Sequence, residues 1–285
     1  MLTYTQAIIL GLIQGVTELF PISSLGHSVL IPALLHWSLN EHATYFILLL
    51  VATHFATAVV LFGYFFKDWM RIIAGFFRSI VKRRIEHDDV YARLAWLIII
   101  ATIPAGLLGL IFQTKLQELF ATPEIVAVFL MLNGAILYGA ELLKKRRTRL
   151  MNALASGDTA IARMPWLAAI GTGLAQSLAL LPGFSRTGSS LSGGLLAGLD
   201  HESAARFAFL LATPIILAAS VLKLPELIHF HDYPVAQIGA GAFAAAVGAL
   251  LSVTFLTKYF KTNTLRPFAI YCIVAGALSV FLLTR

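Results

Sequence analysis

A lone cysteine, Cys272, is all the thiol chemistry this 285-residue chain holds. An intrachain disulfide and a cysteine-based metal cluster are thereby excluded, and a cysteine set in an apolar run reads as a small core residue. Charge is scarce too: 12% of residues are Asp, Glu, Lys or Arg, against 59% hydrophobic, a balance that excludes a soluble globular domain of ordinary composition. No Lys or Arg precedes Lys67. The basic leader region of a cleavable signal peptide is missing, and Glu18 and Pro21 break the first apolar run, so no such peptide is expected. Aromatic residues do not interleave the basic runs 82–84 and 144–147. These runs therefore read as topology determinants and lipid-headgroup contacts, and no nucleic-acid partner is expected.

What the chain has in quantity is apolar sequence of membrane-spanning length. A span needs about 20 mostly apolar residues, and six segments qualify: roughly 43–66, 94–112, 124–143, 206–224, 235–256 and 267–283. Two further stretches, about 4–35 and 165–199, are long enough to cross but carry Pro, Gly and charges in the middle. Irregular backbone at membrane depth survives only when buried in protein or lining a wet cavity, so these predict helical hairpins that enter and leave on one face. With the hairpins counted as non-crossing, the loops 67–93, 144–164 and 257–266, which carry seven, six and three Lys or Arg, fall on one side. The other side has little beyond Lys115, Lys223 and Arg285. The positive-inside rule then puts the three basic loops in the cytoplasm and both termini outside.

The two halves echo each other. Pro21 precedes Phe46 by 25 residues and Pro182 precedes Phe207 by the same interval, each Phe opening an apolar span. A hairpin plus three crossings per half, an odd number, inverts the second copy relative to the first. The expected fold is an all-α integral membrane domain over 1–285, with six transmembrane helices and two re-entrant hairpins in an inverted-topology repeat, about 1–145 and about 163–285.

Polar chemistry concentrates in the hairpins. Ionisable groups at bilayer depth cost several kcal/mol unless paired or wetted, which makes them functional candidates. In the first hairpin Gln14 and Glu18 are four apart and share a helix face. Pro21 stops that half-helix, Ser23-Ser24 sit where a second would be capped, and His27 follows on the Ser23 face. In the second, Pro182-Gly183 breaks the chain, Ser185 can cap, and Arg186 and Ser190 are again four apart. Helix starts, hydroxyls and an Arg fork favour phosphate oxygens, while Glu18, His27 and the serines add an acid or metal ligand, a titratable imidazole and candidate nucleophiles. Elsewhere, Glu141 reads as an interfacial snorkelling group. His54 stands alone in a span and reads as an interhelical hydrogen-bonding group. His36, His42, His87, His201, His229 and His231 receive no role.

At these residues the chain resembles the undecaprenyl pyrophosphate phosphatase family, the bacitracin-resistance type. The family's Glu/Gln-Gly-Xaa-Xaa-Glu signature and its Pro-Xaa-Ser-Ser-Xaa-Gly-His stretch match Gln14 through His27. Its Pro-Gly-Xaa-Ser-Arg signature matches Pro182 through Ser190 with substitutions, and segments around Ile103-Pro104, Phe209–Pro214 and Pro267–Tyr271 follow in order. The resemblance implies a multi-pass bacterial inner-membrane enzyme that hydrolyses C55 polyprenyl pyrophosphate for lipid-carrier recycling in cell-wall synthesis. It also implies dependence on a divalent cation, Mg2+ or Ca2+, and a site opening to the periplasm; a homo-oligomer is a further expectation. Gln14 and Glu18 would assist metal binding or proton transfer, and Ser24 or His27 would be the nucleophile or its base. Arg186 would act in catalysis, and Ser23, Ser185, Arg186, Thr187 and Ser190 would hold the pyrophosphate. Thr187 and Ser190 exchange the family's usual hydroxyl types, Leu25 stands where Thr is common and Val51 where Gln is common. With Gln at 14, Glu18 is the only nearby anionic ligand, so a metal must lean on the pyrophosphate itself. Two rivals share the architecture: a polyprenyl-phosphate flippase, and a non-catalytic lipid-binding member of the family.

Overall fold

A computed structural model describes the chain except for residue 1, 38–42, 120–121, 152–156 and 229–233, together with the side chains of 113–119, 145–151 and 224–228. The side chains of His42, Lys115, Lys145, Arg146, Arg147, Arg149, His229 and His231 lie outside the described residues. Every regular element among the described residues is helical: α1 (Tyr4–Leu19), α2 (Ser24–Leu34), α3 (Thr44–Tyr64), α4 (Phe66–Lys82), α5 (Val90–Leu119), α6 (Pro123–Met151), α7 (Gly157–Ala162), α8 (Trp166–Ser177), α9 (Arg186–Leu196), α10 (His201–Ile228), α11 (Val235–Tyr259) and α12 (Arg266–Leu283).

Six of these helices contain stretches long and apolar enough to cross a membrane: Thr44–Tyr64, Val90–Phe112, Pro123–Lys144, His201–Lys223, Val235–Tyr259 and Arg266–Leu283. They coincide with the six expected spans, and the chain is a multi-pass membrane protein. The two stretches expected to be hairpins hold the helix pairs α1–α2 and α8–α9, broken at Phe20–Ser23 and between Leu181 and Ser185. Leu2, Phe46 and Ile238 cluster, with Trp37 packed against them, so both ends of the first hairpin lie where α11 begins. Trp166 at the start of α8 lies under the Arg93 guanidinium, 4.7 Å from it. His201, just beyond α9, contacts Glu141 near the end of the α6 span. The start of α8 thus lies near the start of α5, and the end of α9 near the end of the α6 span.

Small residues set the packing, since apolar side chains gain little from leaving lipid and close backbone approach supplies the attraction instead. Gly11 and Gly15 of α1 face Gly241 and Ala245 of α11 so closely that a Cβ on either would overlap the opposing backbone. Gly173 of α8 meets Ala101 of α5 in the same way, and Gly134 of α6 and Gly276 of α12 each admit the other helix. The pairings are reciprocal. The first hairpin helix of each half rests on the second span of the other half, α1 on α11 and α8 on α5, while α3 meets α10 and α6 meets α12.

One helix falls within the segment expected to be a basic loop. Along α4, Phe65, Trp69, Ile72, Gly75 and Ser79 are buried, while Phe66, Met70, Ile73, Phe77 and Ile80 form an exposed apolar stripe beside them. This in-plane amphipathic pattern is fastened at both ends. Arg206 pairs with Asp68 (3.1 Å) and with Asp158 of α7 (2.6 Å). Arg78 makes a two-pronged contact with Asp89 at 2.6 and 2.8 Å. The bond from Arg78 holds the Asp89 carboxyl below the usual carboxylate range. Glu141 also departs from expectation. It does not snorkel, being 5% exposed, because His201 Nε2 (2.8 Å) and the Leu265 amide (3.3 Å) donate to its carboxylate. Cys272 is free and fully buried, as a core residue should be.

Candidate active site

The two chain breaks meet. α1 ends at Leu19, and the Phe20-Pro21 corner delivers Ser23 at φ +70°, a left-handed conformation that costs a non-glycine residue about 1–3 kcal/mol and persists only where its surroundings impose it. Ser23 caps α2, its Oγ accepting the Gly26 amide at 3.1 Å, and Ser185 caps α9 in the same way, accepting the Gly188 amide at 3.0 Å. Gly183 reaches the corner at φ +108° against the Val126 carbonyl and Phe129, where a Cβ has no room. Three contacts tie the breaks together. Thr187 Oγ1 donates to the Glu18 carbonyl (2.8 Å), Ser185 Oγ to the Phe20 carbonyl (3.4 Å), and Asn133 of α6 bridges both. Asn133 Nδ2 donates to the Pro21 carbonyl at 3.1 Å while its Oδ1 accepts the Ser185 amide at 3.0 Å.

Two helix N-termini, α2 and α9, therefore start from one place. The first amides of a helix have no intrahelical acceptor, and the caps take only those of Gly26 and Gly188. The amides of Ser24, Leu25, Arg186 and Thr187 and the positive ends of both dipoles remain for an anion.

Glu18 is the centre of the side-chain constellation, 4% exposed. Its Oε2 accepts from Gln14 Nε2 at 2.8 Å and from Ser24 Oγ at 2.5 Å, and lies 3.3 Å from His54 Nε2. Arg186 Nη2 pairs with Oε1 across the two hairpins. This surplus of donors is what keeps the group there, because an unpaired carboxylate would face a desolvation penalty of several kcal/mol.

His27 is oriented differently. Its Nδ1 lies 2.6 Å from the Ser23 carbonyl, which has no proton to give, so Nδ1 carries the hydrogen. Its Nε2 then accepts from Tyr271 Oη at 2.8 Å, the two rings lying nearly parallel. Ser24 thus meets a carboxylate as its hydrogen-bond acceptor, while the free lone pair of His27 is occupied by α12. Ser190 Oγ donates to Gln176 Oε1 at 3.2 Å, one helical turn along α9 from Arg186.

Of the residues singled out from the sequence, Gln14, Glu18, Ser24 and Arg186 form one contact network, and Ser23, Ser185 and Thr187 build the corner that holds it. His27 adjoins through Ser23, and Ser190 faces Gln176 instead. Three members were not singled out as site residues. His54 touches Glu18 directly, one turn beyond the Val51 that replaces the family's usual Gln. Asn133 and Tyr271 sit in ordinary spans, and only the apolar context of Asn133 offered a signal.

The side chains around Glu18 do not by themselves make a site for a resident divalent cation. Among the described residues no three His, Cys, Asp or Glu side chains gather to hold one, and both Glu18 oxygens are already engaged, one by Arg186. A hard cation takes six or more oxygens, whereas here Gln14 Oε1 is the single neutral oxygen of the Gln14–Glu18 pair that is buried without a partner.

A family model described as "Bacitracin resistance protein BacA" matches residues 7–278. The undecaprenyl-diphosphatase of Mycolicibacterium paratuberculosis is 46% identical over 297 residues, covering 98% of this chain and 97% of its own length. Those of Gluconobacter oxydans and Acidiphilium cryptum are 44% and 42% identical, covering 96% and 97% of this chain and 97% of their own lengths.

Proposed function

Since the chain belongs to the bacitracin resistance protein family, we propose that it is a membrane-embedded undecaprenyl-diphosphatase that works through a phosphorylated Ser24. The enzyme hydrolyses a polyprenyl pyrophosphate to the polyprenyl phosphate and inorganic phosphate. The observation that carries the residue assignment is the 2.5 Å contact between Ser24 Oγ and Glu18 Oε2, which places a hydroxyl nucleophile on a buried base.

The pyrophosphate lies at the meeting point of α2 and α9, held by their free amides and the Arg186 guanidinium over the corner that Ser23, Ser185 and Thr187 build. Its negative charge competes with Glu18 for Arg186, and a carboxylate relieved of that partner takes the Ser24 proton. Ser24 Oγ bonds to the terminal phosphorus as the bridging P–O bond breaks, and the polyprenyl phosphate leaves with the bridging oxygen. Arg186 and the helix dipoles stabilise charge on the transferred group, the effect that commonly contributes most to the rate of such reactions. Glu18 passes its proton to the departing polyprenyl phosphate, and the carboxylate so restored takes a proton from water, which releases phosphate from Ser24, the proton returning to the Ser24 oxygen. His27, held by Tyr271 and the Ser23 carbonyl, fixes the corner. A divalent ion, Mg2+ or Ca2+, would be held mainly by the pyrophosphate oxygens, with Gln14 Oε1 the side-chain oxygen left to meet it, and would supply further charge neutralisation there.

The reciprocal helix pairings support the inverted repeat, with the hairpins entering from opposite faces to meet inside. The positive-inside distribution supports cytoplasmic basic loops, periplasmic termini and a site reached from the periplasm.

The test is phosphate release from C55 pyrophosphate by purified protein in detergent, followed by acid quench and mapping of labelled phosphate from a terminally labelled substrate. Label on Ser24 that is lost in Ser24→Ala, with release abolished in Glu18→Ala, is expected. Full turnover by Ser24→Ala in folded protein would remove the covalent route and leave water as the nucleophile.

A further inference from the structure

We infer that His54 is a positioning residue of this site, completing a nucleophile–base–orienter series Ser24–Glu18–His54. The inference deepens the phosphohydrolase reading and rests on it. His54 sits in α3, outside both hairpin signatures, and its side chain is 16% exposed. Its ring is aimed by a fixed contact: Nδ1 lies 2.7 Å from the Leu50 carbonyl one turn back. A carbonyl cannot donate, so the hydrogen is on Nδ1, and Nε2 is the atom presented to Glu18 Oε2 at 3.3 Å. That oxygen is the same one that accepts the Ser24 hydroxyl.

A proton must lie in the His54–Glu18 contact, because two lone pairs at that distance would repel. Either Nε2–H donates to the carboxylate, or the carboxyl O–H donates to Nε2. Both arrangements fix the rotation of the Glu18 carboxyl group, with Oε2 turned to Ser24 and Oε1 left to Arg186. In the second, the carboxyl proton must first pass to Nε2, which leaves Glu18 a carboxylate able to take the proton of Ser24 while His54 holds the first one. The groups facing this contact are Gln14 and Glu18 from α1, Ser24 from α2 and Arg186 from α9, and none of the other three can do the same. Gln14 Nε2 and Arg186 only donate, and Ser24 is the group being deprotonated. A base oriented by a third group is the arrangement that activated hydroxyl nucleophiles require.

The experiment measures kcat and KM for C55 pyrophosphate in detergent with wild type, His54→Ala, His54→Gln and Glu18→Ala, alongside thermal unfolding of each. Gln keeps an N–H donor of similar reach but cannot take a proton. The expected result is a kcat for His54→Ala about 10²-fold below wild type, within the usual range for a group acting on proton transfer, with KM changed less than threefold. His54→Gln should recover about tenfold of that loss with an unfolding midpoint near wild type. A kcat within threefold of wild type in His54→Ala, a loss confined to KM, or a Gln variant no better than Ala overturns the role of His54 while leaving the phosphohydrolase reading intact. Absence of phosphate release by the wild type, or release that survives Glu18→Ala, overturns the phosphohydrolase reading and this inference with it.

Discussion

Asn133 offers the sharpest test of how the two hairpins are held in register. Its amide is fully buried in α6 and serves one backbone group from each break, the Pro21 carbonyl at 3.1 Å and the Ser185 amide at 3.0 Å. The substitution Asn133→Leu preserves volume and apolar context but strands both groups where water cannot reach them. An unsatisfied buried donor or acceptor costs about 1–3 kcal/mol, so the two together should cost about 2–6 kcal/mol. By the scaling of soluble domains such a loss lowers an unfolding midpoint by about 5–15 °C. The partial acceptance by Pro21 of the Cys272 thiol, at 3.9 Å, is too long to compensate. Turnover should fall as well, since Ser24 and Arg186 stand one residue beyond Ser23 and Ser185, and a misplacement of about 1 Å can cost 10²-fold. The assay pairs thermal inactivation in detergent with phosphate release, and Leu132→Ala, whose parent side chain is 47% exposed on the same helix, is the control. An Asn133→Leu protein that melts within about 2 °C of wild type and turns over within threefold would refute the bridging role.

Arg186→Lys keeps the charge but gives up the planar fork, and in folded protein turnover should drop at least about 10²-fold; wild-type turnover would remove Arg186 from the phosphate site. Gly15→Leu puts a side chain into the Ala245 backbone and should abolish the yield of folded protein, while Gly106→Ala, where a Cβ meets nothing, should be neutral; equal yields from both would contradict the close α1–α11 approach. The Arg78–Asp89 clamp carries a pH signature. A carboxyl held below its usual range contributes stability that is complete above the ordinary carboxylate value and is lost only as pH falls through the lowered one. Wild type and Asp89→Asn should therefore differ in melting midpoint at neutral pH and converge in strong acid; a constant difference down to low pH would show that the ion pair is not the source.

The elements that sequence made legible are those with local causes. Spans announce themselves by length and hydropathy, and the hairpin breaks by Pro21 and Pro182-Gly183, so the helix starts at Ser24 and Arg186 fall within a residue of the caps. The paired faces of Gln14–Glu18 also follow from helical spacing alone. What escaped depends on partners distant in the chain. His54 does contact another helix, as expected of it, but nothing in Ala52-Thr53-His54-Phe55 encodes that its partner is Glu18. Asn133 is a single polar residue in an apolar span, and its two partners lie 112 and 52 residues away. For Glu141 the neighbouring Lys144 and Lys145 suggest an interface, whereas His201 and the Leu265 amide supply its hydrogen bonds inside the protein. The helix α4 is a different case. The spacing of Phe65, Trp69, Ile72, Phe76 and Ser79 marks a helical face, but counting the segment by its basic residues hides it.

Gln14 decides the electrostatics of the site, and exchanging it is the last prediction. In the structure one carboxylate, Glu18, faces one guanidinium and one imidazole, so a polyanionic headgroup meets a cup whose fixed charge is neutral or positive. The Gln14 amide donates to Glu18 at 2.8 Å, which makes it part of that neutralisation. Gln14→Glu would set a second carboxylate at about the same separation, where two like charges cannot both remain ionised unless a proton or a cation joins them. The variant should therefore bind Mn2+ at least about tenfold more tightly than wild type, measured by electron paramagnetic resonance, and its phosphate release should become more sensitive to chelation. The paired carboxylates and the formerly orphaned position at residue 14 would then supply what the wild-type donor set lacks, anionic oxygens not already claimed by Arg186. Equal Mn2+ affinity in the two proteins would mean that the donors around Glu18 are strong enough to keep any cation off this pair, and that a cation reaches the site only with the substrate pyrophosphate.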